Sequence, residues 1–291
     1  MELPTNGFTS VNIKLFMYTQ LTGKDNPLLK TLRKLNRNPE KGPGEQMAIE
    51  GVRVLEEAEN AGCKVDAVVI TEGFGNESRE KKLLERWLAR KIRVFQVSEK
   101  NFASISAVRT PQGAMALARA PRYSLNEIQP KERGLILCAC GIQDPGNLGT
   151  LIRTGAAAGA DMVLTAEGTV SALNPKTLRA SAGAFFNVPV IEHLKTGELI
   201  SYCERNNIRM YRTDAGAGVP YTKADLASSC AIFLGNEGAG ISNAAFAGLP
   251  VIHIPMPGNT ESLNVAAAGA ILLFEAARQR SERIRNMEAQ L

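Results

Sequence analysis

Six short, mainly apolar runs in the second half of the chain restrict its architecture more than any other feature. They are Leu135–Cys140, Met162–Thr165, Val188–Ile191, Ile208–Thr213, Ala231–Leu234 and Val251–Ile254, with helical patterns between them. A strand without polar alternation is buried on both faces, and strands spaced by helices pair in parallel. The spacing therefore predicts an α/β domain with a six-stranded parallel sheet. Its ligands would bind beyond the carboxyl ends of the strands.

The 291 residues leave room for a second domain in front. Asn26-Pro-Leu-Leu-Lys-Thr-Leu-Arg-Lys-Leu35 carries leucines at helical spacing behind a cap and an N1 proline. A flexible loop is expected over Asn36–Gly44, then a helix over Gln46–Ala61, a strand over Val65–Thr71 and a helix over Ser78–Arg90. Strands at Ile92–Val97 and Met115–Ala118 complete an α/β sandwich. The polar stretch Pro121–Arg133 reads as a linker. The boundaries expected are 1–17 as an extension, 18–120, a linker at 121–133, and 134–291. Met1–Met17 lacks the pattern of a secretory signal, and a start at Met17 is equally compatible.

Charge is unevenly shared. Residues 1–133 hold 22 Lys and Arg against 16 Asp and Glu, and the remainder 12 against 13. The net charge of +5 thus resides in the first half. Lys24, Lys30, Arg33, Lys34, Arg37 and Lys41 fall within eighteen residues beside only Asp25 and Glu40. Such a cluster is either a solvated helix face or a surface for a polyanion. The five cysteines form no metal-binding spacing, and with two histidines, His193 and His253, no zinc site is expected. Reduced thiols fit a cytoplasmic protein. No apolar run reaches the roughly 20 residues of a membrane span.

Three segments carry the chemistry. Asn147, Gly149 and Arg153 form N-x-G-x-x-x-R; Gly235, Glu237, Gly238 and Gly240 form G-x-E-G-x-G; and Ile254-Pro-Met-x-Gly leads into Ser262-Leu-Asn264. The glycines would let a ligand approach the main chain, and a dinucleotide fingerprint is disfavoured because its glycine spacing differs. In order and spacing the three resemble the signatures of the SpoU/TrmH family of RNA ribose 2′-O-methyltransferases, within the SPOUT superfamily. One departure is Ala266, where the family often has Ser.

The resemblance implies a deep trefoil knot in the second domain and a ribosomal-protein-L30-like, RNA-binding first domain, whose usual opening is similar to Asn26–Leu35. It implies S-adenosylmethionine (SAM) as cofactor, RNA as substrate (23S rRNA foremost), and a homodimer through the knotted domain, whose small-residue face Ala266–Ala270 tolerates close packing. A tRNA methylase, an antibiotic-resistance rRNA methylase and a non-catalytic RNA-binding protein with a vestigial knot remain as alternatives. By carry-over, Leu234, Gly235, Asn236, Gly240, Ile254, Met256, Leu263 and Thr213 would hold the cofactor, with Asp214 beside them. Arg153 would be the principal catalytic residue, acting with Asn147, Glu237, Ser262 and Asn264. A guanidinium is a poor base, so Arg153 is expected to clamp a phosphate and stabilise the attacking oxygen. Asn147, Ser262 and Asn264 either hold substrate or cap helices, and Glu237 either organises the site or binds backbone N–H groups. Lys30, Arg33, Lys34 and Arg37 are the RNA-binding candidates.

Overall fold

The computed structural model describes residues 18–37, 46–236, 241 and 244–288. The extension at 1–17, most of the expected loop after Arg37, and site candidates Glu237 and Gly240 lie outside the described residues. The chain divides after Ala120 into two compact units.

The first unit comprises β1 (Thr19–Gln20), α1 (Pro27–Arg37), β2 (Gln46–Glu50), α2 (Val52–Asn60), β3 (Val65–Thr71), α3 (Ser78–Ala89), β4 (Arg93–Val97), α4 (Glu99–Ile105) and β5 (Ala114–Arg119). Its sheet runs β1-β4-β3-β5-β2. Asn26 caps α1 by accepting the Leu28 N–H at 2.9 Å. Leu29, Leu32 and Leu35 bury themselves with Phe102 and Ile105 of α4 against Val69, Val97 and Met115 of the sheet.

Here the structure corrects the expected helix over Gln46–Ala61. Residues 46–50 pair antiparallel with β5, Gln46 opposite Arg119 and Glu50 opposite Met115. Gly51, at φ 106°, then breaks the chain before α2 begins. Buried Glu50 ties the break by accepting the Ala107 N–H at 3.2 Å and the Ser106 hydroxyl. Non-local pairing overrides local helical preference at this point.

The second unit contains β6 (Leu135–Ala139), α5 (Pro145–Ala157), β7 (Met162–Ala166), α6 (Pro175–Ala180), β8 (Val190–Leu194), α7 (Thr196–Arg205), β9 (Arg209–Thr213), β10 (Val219–Pro220), β11 (Cys230–Leu234), β12 (Val251–His253) and α8 (Val265–Glu288). Its sheet has seven strands, not six, in the order β10-β12-β9-β11-β6-β7-β8, and every pairing is parallel. The addition is the two-residue edge strand β10. The third expected strand lies two residues later than its apolar run, at Val190–Leu194. A knot here would depend on a path through 237–240 and 242–243, outside the described residues.

The stretch read as a linker belongs to this unit's packing. Tyr123, Leu125 and Ile128 lie against the sheet's core, and the Tyr202 hydroxyl donates to the Ile128 carbonyl at 2.9 Å.

Two glycines set the helix positions. A Cβ at Gly149 on α5 would sit 2.4 Å from the Thr177 carbonyl oxygen and 2.6 Å from Ala180 Cβ of α6. One at Gly269 on α8 would sit 2.4 Å from Leu151 Cδ2 and 2.9 Å from Leu234 Cδ1. Gly269 of α8 thus serves close packing within the chain, against α5 and β11.

Candidate active site

A cleft of about 360 Å³ opens beyond the carboxyl ends of β9, β11 and β12. Seven of the eight residues carried over for the cofactor line it: Thr213, Leu234, Gly235, Asn236, Ile254, Met256 and Leu263. Asp214 and Ser262 line it as well. Three loops converge because parallel strands deliver them to one edge. Cys140 donates its N–H to the Leu234 carbonyl at 2.8 Å, and Asn236 Nδ2 donates to the Gly141 carbonyl at 3.0 Å. The loop after β6 is thereby stitched to the loop after β11.

The chemistry of the walls fits a nucleoside carrying a cationic tail. Leu234, Ile252, Ile254, Leu263, Val265 and Leu272 supply an apolar slot, and Thr213, Asp214, Asn236 and Ser262 supply a few polar groups. This is the usual make-up of a small-molecule cleft. Among the described residues, no backbone hydrogen bond engages the N–H of Ile254, Met256 or Leu263, leaving main-chain donors at the wall. The Gly216 N–H, then that of Ala217 and the charge of Arg212, holds the Asp214 carboxyl below its ordinary range. Its charge suits an ammonium or sulfonium partner.

Asn264, rather than Ser262, caps α8: its Oδ1 accepts the Ala266 N–H at 2.9 Å and the Ala267 N–H at 3.3 Å. Its Nδ2 donates to Asn147 Oδ1 at 3.1 Å, joining the first and third signature segments. Nor does Asn147 cap α5. Asp144 does, accepting the Asn147 N–H at 2.9 Å. Lys176 on Asp144 at 2.7 Å, followed by that N–H, keeps the Asp144 carboxyl low. Arg153 is exposed two turns further along α5.

The basic candidates of the first unit divide by environment. Lys34 and Arg37 are exposed, and Lys30 is exposed beside Asp25 at 3.2 Å. Arg33 instead spends its guanidinium inside the unit, donating to the Ser104 carbonyl at 3.1 Å and the Ser104 hydroxyl at 2.9 Å.

Sequence reasoning missed Ala215, Ile252, His253, Val265, Ala268 and Leu272 as lining residues. Val265, Ala268 and Leu272 follow i, i+3, i+7 spacing, so one face of α8 was there to be read. His253 carried no such signal. Among the described residues, no cluster of His, Cys, Asp or Glu is arranged to hold a metal ion, and no helix is long and apolar enough to cross a membrane.

Solved structures place this arrangement in a class. A crystal structure of an RNA 2′-O ribose methyltransferase is 33% identical, with a TM-score of 0.77 over 90% of this chain and 100% of its own. An AdoMet-bound rRNA methyltransferase from Sinorhizobium meliloti is 27% identical, with a TM-score of 0.79 over 90% of this chain and 98% of its own. The fold is that of an AdoMet-dependent RNA methyltransferase. Residues 134–274 match the model of the SpoU rRNA Methylase family, and residues 26–116 that of the MRM3-like substrate binding domain. The 23S rRNA (guanosine(2553)-2′-O)-methyltransferase RlmP of Bacillus subtilis is 33% identical over 259 residues, 88% of this chain and 98% of that protein. The chain belongs to the SpoU rRNA methylase family.

Proposed function

We propose that this protein methylates a ribose 2′-hydroxyl of 23S rRNA, using SAM held in the cleft over β9, β11 and β12. The observation that carries the reading is the meeting of three sequence-distant segments. Leu234–Asn236 and Ile254–Leu263 form the cleft walls, and Asn264 is bonded to Asn147 at the start of the helix that presents Arg153.

SAM, when bound, supplies an electrophilic methyl group on a sulfonium. The chain's part is to hold and orient. The apolar slot would hold the adenine ring, the main-chain donors at Ile254, Met256 and Leu263 would serve its polar atoms, and Asp214 would balance its positive charge. Asn147 and Asn264 fix the substrate-side rim, with Ser262 at the mouth. Positioning two reactants this way lowers a barrier by about 7–11 kcal/mol in well-oriented cases. Arg153 clamps an RNA phosphate and steadies charge developing on the 2′-oxygen, as a fork of fixed donors does best. The 2′-hydroxyl proton passes to that phosphate or to Glu237. In the first unit, Lys30, Lys34 and Arg37 attract the RNA backbone, while Arg33 shapes the helix that carries them.

The reading further includes a homodimer through the second unit, the trefoil knot that gives the superfamily its character, and a cytoplasmic location. All five cysteines are free, as a reducing compartment requires. Incubation with methyl-labelled SAM and rRNA from cells lacking the gene tests the reading. Label in one 2′-O-methylnucleoside of the large-subunit RNA supports it, and label confined to tRNA replaces rRNA with tRNA as substrate. SAM binding without transfer to any RNA favours the vestigial, non-catalytic reading.

A further inference from the structure

The segment Asp214–Gly218 closes the β12 side of the cleft, contributing Asp214 and Ala215 to its lining. Its composition, Asp-Ala-Gly-Ala-Gly, provides no side chain able to anchor it in a core, and all five residues are exposed. It is nevertheless held at four points. Asp214 Oδ1 accepts the N–H of Gly216 at 3.1 Å and of Ala217 at 3.2 Å, which curls the segment on itself. Gly218 approaches β12 so closely that a Cβ there would fall 2.1 Å from the Val251 carbonyl oxygen. Val219 then pairs with Ile252 as β10. The fourth point is a side chain: His253 Nδ1 lies 3.2 Å from the Ala217 carbonyl oxygen. A carbonyl only accepts, so the bond requires the proton on Nδ1 and leaves Nε2 an acceptor in the neutral ring.

We infer that His253 is a positioning residue for the cofactor, a latch that holds the Asp214–Gly218 segment against β12 as a wall of the cleft. The inference rests on the proposed cofactor reading of that cleft. His253 reaches the segment because it ends the strand beside β10, at the edge of the cleft. Removing the latch frees the wall without touching Arg153, Asn147 or Asn264. The consequence falls on cofactor affinity and not on the transfer step.

Three variants and three readouts test this. Hydrogen exchange of the cofactor-free protein reports the latch itself; calorimetry with S-adenosylhomocysteine and a KM-against-kcat comparison for SAM report its use. His253→Ala speeds exchange at residues 214–219 and raises both Kd and KM about fivefold, within the range one hydrogen bond supplies, with kcat within about twofold of the parent. His253→Asn, whose amide donor overlays Nδ1, restores all three readouts. Gly218→Ala forces the segment off Val251 with His253 still present, and gives the same signature more strongly. Unchanged exchange in His253→Ala overturns the latch. Faster exchange with unchanged Kd overturns the segment's role as a cofactor wall, and a fall in kcat at constant KM does the same. Failure of the parent protein to bind S-adenosylhomocysteine instead removes the cofactor reading, and the exchange result then shows separately whether the latch exists.

Discussion

Asn264 does two jobs with one amide. Its oxygen caps α8 and its nitrogen holds Asn147, so the helix that backs the cleft and the helix that carries Arg153 share one side chain. Ser at this position keeps a cap oxygen but is too short to bridge. Asn264→Ser is therefore expected to keep its melting temperature within a few degrees of the parent, while kcat falls at least tenfold in the labelled-SAM assay. Arg153 answers to a similar argument. Arg153→Ala should lower kcat by about 10²–10³, the usual loss of one transition-state donor, and Arg153→Lys should recover little because a point charge does not replace a fork. In the first unit the residue types look alike in sequence yet separate by contact. Lys34→Ala should reduce the salt slope of RNA binding by about one without changing stability. Arg33→Ala should lower the melting temperature, because its bonds are to Ser104.

At the scale of elements, the parallel strands and their helices were legible because each apolar run reports burial directly. The exceptions have physical causes. β10 is two residues long and owes its place to pairing with β12, which no local pattern announces. β2 hides in a helix-favouring stretch because its partner β5 lies nearly seventy residues away. The loops that line the cleft were readable from motif residues; His253 was invisible, since its partner is a carbonyl 36 residues distant. The glycines of α5 and α8 read as small-residue packing without revealing against what. Their neighbours now rank them. Gly149 faces backbone, which cannot yield, so Gly149→Ala should destabilise by about 1–3 kcal/mol in chemical denaturation. Gly269 faces the ends of Leu151 and Leu234, which can rotate. Gly269→Ala should therefore cost less stability and instead weaken cofactor binding through Leu234, a lining residue.

The whole molecule puts a basic front unit on the same chain as a neutral second unit, and the proposed function assigns attraction for a polyanion to the first and chemistry to the second. Its stability carries a signature of buried thiols. Burial pushes Cys140 and Cys203 up to about 12 and Cys63 up to about 11. A thiol raised in the folded state contributes fully below its unfolded value near 9 and loses that contribution as pH climbs toward the folded one. The melting temperature should therefore decline across that alkaline range. At neutral pH, a thiol reagent should leave the four buried cysteines untouched until denaturant is added. The most direct test of the central claim is nucleoside analysis of large-subunit rRNA from cells lacking the gene, after incubation with the purified protein and methyl-labelled SAM. Label in a single 2′-O-methylnucleoside, its initial rate of incorporation lowered by about 10²–10³ in Arg153→Ala, is the predicted result. Label on a base, or cofactor bound with no label in any RNA, contradicts it.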